Sequence, residues 1–160
     1  MPIHNIQPVY DENSRILILG SFPSVKSREM KFFYGHPQNR FWKIMAHLYG
    51  EEIPQSIPEK KDFLLRNGIA VWDVIGSCDI KGSADSSISN IRTNDIGKIL
   101  KKSKIEKIYV NGRTAEKYYK KYLEEKTGMK AIELESSSPA NARCSLEMLI
   151  EDWREKLGGQ

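Results

Sequence analysis

The sequence predicts an α/β fold, a three-layer sandwich in which a central parallel sheet of four strands lies between helices. Two observations carry this. Short apolar runs alternate along the chain with segments whose apolar residues recur at helical spacing. The first run, Ile16-Leu17-Ile18-Leu19, is apolar at every position, as a strand covered on both faces must be. No internal repeat, low-complexity tract or linker interrupts the alternation, so residues 1–160 read as one domain.

The first strand runs from Ser14 to Gly20. A loop rich in serine, proline and aromatics follows, from Ser21 to Gln38. A helix opens near Asn39, with Phe41, Ile44, Met45 and Leu48 on one face, and Gly50 stops it. Ser56-Ile-Pro-Glu59 has the form of a capping box with proline in the first turn, starting a second helix through Arg66. Gly68 closes it. Ile69 to Ile75 is the second strand, and Gly76 to Asn90 reads as a polar loop. A helix from about Asn94 to Lys101 presents Ile96, Ile99 and Leu100. The third strand is Ile105 to Val110. Asn111-Gly112 then turns the chain into a helix carrying Ala115, Tyr118, Tyr119, Tyr122 and Leu123. Met129 to Leu134 is the fourth strand. A polar segment, Glu135 to Asn141, leads to a last helix with the face Ala142, Leu146, Leu149, Ile150, Trp153 and Leu157. Parallel strands joined through helices imply right-handed crossovers.

Composition narrows the function classes. With 160 residues, 39% hydrophobic and 29% charged, the chain can bury a core and is not of the disordered type. Its longest apolar runs are far too short to span a bilayer, and Met1-Pro-Ile-His-Asn5 lacks the layout of a signal peptide. An intracellular, cytoplasmic protein with no membrane partner is expected. Cys78 and Cys144 are too few for a four-cysteine iron–sulfur cluster, no C-x-x-C occurs, and His4, His36 and His47 lack zinc-site spacing. No metal and no cofactor are expected, and both cysteines read as reduced and structural. Net charge is +4, but residues 98–130 hold 11 Lys/Arg against 4 Asp/Glu, so that stretch carries +7 and the rest −3. Such a stretch is either a solvated helix face or a surface for a polyanion.

In a parallel α/β sheet ligands bind beyond the carboxyl ends of the strands. Four segments qualify: Gly20–Asn39, Asp73–Asn90, Asn111–Thr114 and Ser136–Asn141. Gly20-Ser21-Phe22-Pro23-Ser24 is a tight turn that brings backbone N–H groups near a ligand, without the spacing of a phosphate loop. In Phe33-Tyr34-Gly-His-Pro-Gln-Asn39-Arg40-Phe-Trp42, aromatics suited to stacking precede an amide and a cation. Asn39 caps the helix, projects into the cleft, or does both. Arg40 meets phosphate or only solvent, and His36 is a weaker candidate base. Asp73, Asp79 and Asp85 offer carboxylates that can steer a water or stabilise a cation, although Asp85 can equally shape its serine-rich turn. Ser136-Ser-Ser-Pro-Ala-Asn141 forms a rigid loop of donors placed, on this reading, at a helix N-terminus, a good phosphate site.

Taken in order, these segments resemble the uracil-DNA glycosylase superfamily over nearly the whole chain. The branch most similar is the hypoxanthine- (deoxyinosine-) DNA glycosylase family. The resemblance rests on Gly20-Ser-Phe-Pro23, Asn39-Arg-Phe-Trp42, Trp72-Asp-Val74 with Cys78 and Gly82-Ser-Ala-Asp85-Ser86, and Ser138-Pro-Ala-Asn-Ala142. Phe22 stands where uracil-specific members carry an acidic or amide residue, and Ser136 where many carry a histidine. Both departures are shared by the hypoxanthine branch.

The resemblance implies a monofunctional DNA glycosylase that flips a deaminated base (hypoxanthine first, then xanthine or uracil) and leaves an abasic site. It implies catalysis by Asn39, whose amide oxygen would orient the water, with Asp85 as a second candidate. Base contacts fall to Gly20, Ser21, Phe22, Pro23, Phe33 and Tyr34. DNA contacts fall to Arg40, Ser136, Ser137, Ser138, Pro139, Ala140 and Asn141. The partner would be DNA containing a damaged base, bound by a monomer. Two rivals stand beside this: a non-catalytic nucleic-acid-binding relative, and a hydrolase of free nucleosides. The basic stretch over residues 98–130 speaks against the second.

Overall fold

A computed structural model of the chain describes residues 3–4, 6–22, 27, 29, 32–79 and 89–158. In chain order its elements are β1 (Ile3–His4), β2 (Ile16–Gly20), α1 (Phe41–Tyr49), α2 (Ile57–Arg66), β3 (Ile69–Asp73), β4 (Ile75–Asp79), β5 (Ser89–Thr93), α3 (Ile96–Lys101), β6 (Lys107–Asn111), α4 (Arg113–Tyr122), α5 (Glu124–Thr127), β7 (Ala131–Leu134) and α6 (Leu146–Leu157). The four strands β3-β2-β6-β7, in that order, make the expected sheet, and all its pairings are parallel.

The apolar run of β2 explains the layering. Successive side chains point to opposite faces. Ile16 and Ile18 join Phe41, Ile44, Met45 and Phe63 of α1 and α2 and Leu149 and Trp153 of α6 in one core. Leu17 and Leu19 join Ile96, Ala115 and Tyr119 of α3 and α4 in the other. The sheet is thus covered on both sides, and the sandwich read from the sequence is present.

Several boundaries differ from the sequence reading. The second strand stops at Asp73. There the chain turns over the end of β2, with the Val74 amide donating to the Gly20 carbonyl (2.8 Å) and that of Ile75 to Ser21 (3.0 Å). Residues 76–90, read as a polar loop, contain most of β4 and the start of β5. With β1 they form a separate three-stranded antiparallel sheet. The third and fourth strands each begin two residues later than expected, at Lys107 and Ala131. The last helix begins only at Leu146, because the Ser145 hydroxyl accepts from the Met148 amide and caps it there. Ala142, assigned to its apolar face, is exposed in the preceding turns. The loop over residues 136–141 is therefore not itself a helix N-terminus.

No helix among the described residues is long and apolar enough to cross a membrane. Cys78 and Cys144 are both buried, and no disulfide joins them among the described residues.

Candidate active site

The chain leaves β2 toward β3 and leaves β6 toward β7, on opposite sides of the sheet. The crevice at such a reversal, beyond the strand ends, is where an open α/β sheet binds its ligand. A cleft of about 800 Å³ lies there, lined by the end of β2 (Gly20–Phe22), the turn after β6 (Asn111–Thr114), Tyr34, Asn39, Asp73 and the segment after β7.

Asn39 is held from two sides. Its Oδ1 accepts from the Phe41 amide (3.0 Å) and from the Ser137 hydroxyl (2.8 Å). Ser137 in turn accepts at its Oγ from Asn111 Nδ2 (3.0 Å), and its amide donates to Asn111 Oδ1 (3.0 Å). One chain of hydrogen bonds thus joins the ends of β6 and β7 to the start of α1. An amide oxygen has two lone pairs, and both are used here. What Asn39 keeps for a ligand is its pair of Nδ2 protons. The expectation that its oxygen orients the water is corrected accordingly.

Two residues assigned to DNA serve this framework instead. Ser137 is wholly buried, so it cannot touch a duplex. Its two neighbours in the Ser-Ser-Ser run remain at the cleft. Arg40 turns its guanidinium inward onto the carbonyls of Ser138 (2.8 Å), Asn141 (3.0 Å) and Cys144. It holds the 138–144 turns in place and is not extended toward phosphate. The loop is stiffened further by Ser136 Oγ accepting from the Ser138 amide and by Asn141 Nδ2 donating to the Ser136 carbonyl. Pro139 and Ala140 stand exposed at its tip, where a rigid loop can press on DNA.

The aromatics divide. Phe33 is 2% exposed and packed edge-on to Phe32, so it is core that reaches the cleft wall. Tyr34 has φ of +53°, a conformation bulky residues seldom adopt, and stacks on Phe41 at 4.1 Å. Its hydroxyl is buried, and burial followed by the neighbouring charge of Asp73 pushes its pKa far above the ordinary phenol value; the Asn111 side chain pulls the other way. Phe22 is half-buried on the same wall.

Asp73 ends β3 directly beside Gly20. A Cβ at Gly20 would lie 2.6 Å from Asp73 Oδ1, so glycine is what admits the carboxyl to the cleft floor. Burial raises its pKa to about 8. Gly112, with φ of +99°, similarly lets the chain turn beneath Ser136, whose Cβ is 3.0 Å from where its own would be.

Of the remaining candidates, Pro23 and Asp85 lie outside the described residues. His36 is half-buried in its own turn, with Nδ1 accepting from the Gln38 amide, and is not among the cleft-lining residues. Two cleft cations were not singled out from the sequence. Arg113 opens α4, inside a segment already marked as a strand end. Arg143 follows the 136–141 loop and is paired with Glu135 at 2.8 Å.

Ser137→Ala removes one of two donors to Asn39 and strands the Asn111 amide. A tenfold to hundredfold loss of turnover is expected, with a stability cost of about 1–3 kcal/mol. Thermal unfolding beside a single-turnover rate separates the two effects.

The family model described as "Uracil DNA glycosylase superfamily" matches residues 7–156, which span every described residue of this cleft. The chain belongs to the uracil DNA glycosylase superfamily. Among relatives in the superfamily, a hypoxanthine DNA glycosylase of Methanosarcina acetivorans is 40% identical over 139 residues, 86% of this chain and 87% of that one. One of Methanosarcina barkeri is 36% identical over 152 residues, covering 92% and 93%. A solution NMR structure from Methanosarcina acetivorans, described as a candidate uracil DNA glycosylase, superposes with a TM-score of 0.81. It is 34% identical and covers 99% of this chain and 100% of that one.

Proposed function

We propose that this superfamily member is a DNA glycosylase that excises hypoxanthine from DNA by hydrolysis and leaves the sugar–phosphate strand uncut. The observation that carries this is the locked Asn39 amide in a cleft lined by Phe22, Phe33 and Tyr34, in a chain whose relatives bear that activity in their names.

The geometry supports a stepwise course. The damaged nucleotide leaves the stack and enters the cleft between the 20–22 turn and the 136–141 loop. Phe22 and the Tyr34–Phe41 stack offer walls for the purine. Departure of the base leaves positive charge on the sugar, which the DNA phosphates help to stabilise. Such a cation needs only a placed water, not a strong base. Nδ2 of Asn39 can hold the water by one lone pair and leave the other free to attack. Arg113 and Arg143 at the cleft and the basic stretch over residues 98–130 favour a polyanion over a free nucleoside. One chain supplies all these groups, so a monomer suffices for the reaction.

The test is a duplex with a single deoxyinosine, incubated with the protein and then treated with hot alkali. Strand breakage only after alkali supports the reading. Cleavage of inosine nucleoside but not of the duplex would favour the nucleoside hydrolase, and salt-steep binding with no base release a non-catalytic relative. No lysine lines the cleft among the described residues, so borohydride is expected to trap no protein–DNA adduct.

A further inference from the structure

A buried carboxyl group normally has a structural partner: an arginine, a helix N-terminus or backbone donors. Asp73 has none of these on one oxygen. The residue is 3% exposed, and its Oδ2 has no hydrogen-bond partner among the described residues. Its backbone carbonyl accepts from Asn94 Nδ2 (2.7 Å), which fixes the strand end without engaging Oδ2. The group lines the cleft, over a glycine that makes room for it, and on the same wall as the Tyr34 hydroxyl. The carboxyl therefore lies at the cleft wall with hydrogen-bonding capacity that the free protein leaves unused.

We propose that Asp73 is the general acid of the reaction, donating its carboxyl proton to ring nitrogen N7 of the departing purine. This rests on the glycosylase reading above and adds what the Asn39 water does not provide, a means of stabilising the leaving group. As the bond from C1′ to N9 breaks, its electron pair passes to the purine. The Asp73 proton joins N7, and hypoxanthine leaves as a neutral tautomer. The water oxygen bonds to C1′ and releases one proton, which returns to the Asp73 carboxylate. Atoms and charge then balance over the cycle.

The acid must hold its proton at working pH, and burial raises its pKa to about 8. Among the described residues, the titratable groups around the cleft are Tyr34 from the 32–40 loop, Arg113 at the start of α4, Glu133 and Glu135 about the end of β7, and Arg143. Tyr34 couples to Asp73, and its own phenol remains protonated throughout.

Single-turnover excision of hypoxanthine from duplex DNA, measured from about pH 5.5 to about 9.5, reads this directly. The wild-type rate is expected to be level on the acid side and to fall above about pH 8, as the acid form is lost. Asp73→Asn keeps a hydrogen-bond donor but has no proton to give. It is expected to lose about 10²–10³-fold and to lose the alkaline fall with it. A duplex with 7-deazadeoxyinosine lacks the proton's destination. On it the wild type should drop to about the Asp73→Asn level, and the variant should lose little more. An unchanged rate and profile for Asp73→Asn, or variant and deaza effects that multiply as independent losses, overturns the proposal and leaves the glycosylase reading standing. No excision from deoxyinosine DNA by the wild type at any pH overturns both.

Discussion

Asn39→Ala is expected to slow hypoxanthine excision by about 10²–10³-fold while leaving affinity for an undamaged duplex unchanged. The asymmetry follows from how the side chain is held. Its oxygen is satisfied by Phe41 and Ser137, so it is oriented before any substrate arrives. The Nδ2 protons it presents act on the water or the sugar, not on the phosphate backbone. Truncation removes those protons and strands two donors, of which the Ser137 hydroxyl can turn elsewhere. The folding cost is therefore about 1–2 kcal/mol, small against the loss of rate. Ser137→Ala, which disturbs orientation only, should cost less turnover than Asn39→Ala. Measuring single-turnover rate and duplex affinity on the same preparations decides the matter. A fall in affinity with a preserved rate would move Asn39 from the chemistry to the DNA interface.

What the sequence makes legible here, and what it does not, follows the range of the interactions. Ile16–Leu19 announces a two-sided strand because both faces must be apolar, and the structure divides those residues between two cores as alternation requires. Ser56–Glu59 announces a helix start because the cap is made within four residues, and the Ser56 hydroxyl does accept from the Glu59 amide. The β4–β5 pair is hidden. Ser89 and Asn90 are exposed and polar, and the pairing carries two register shifts, so no clean alternation marks either strand.

The site shows the same limit. Three adjacent serines are alike in the sequence, and only the approach of Asn39 and Asn111 makes Ser137 the inward one. Arg40 looks like a phosphate ligand next to Asn39. Its partners lie about a hundred residues further on, and nothing local foretells them. Asp73 is visible as a carboxylate ending a strand. That its carboxyl is buried with an unpartnered oxygen is a property of the packed molecule alone.

Asp73→Asn should stabilise the protein, and by an amount that depends on pH. The carboxyl titrates near 3.8 in an unfolded chain and at about 8 when folded. Between those values the folded state holds a proton that the unfolded state releases. Stability therefore declines as pH rises from about 4, and the decline levels off above about 8. Asparagine carries no such penalty. The two proteins should unfold alike near pH 4 and separate steadily above it, with the variant ahead by a few kcal/mol near pH 8. Denaturant midpoints across that range measure the gap, and parallel curves would mean that Asp73 is ionised and paired in the folded state. The same ionisation governs excision, so the pH at which the stability gap stops growing should coincide with the pH at which the wild-type rate begins to fall. A carboxyl that weakens the fold above pH 4, in a cleft where a substrate can accept its proton, has its stabilising partner in the complex and not in the free protein.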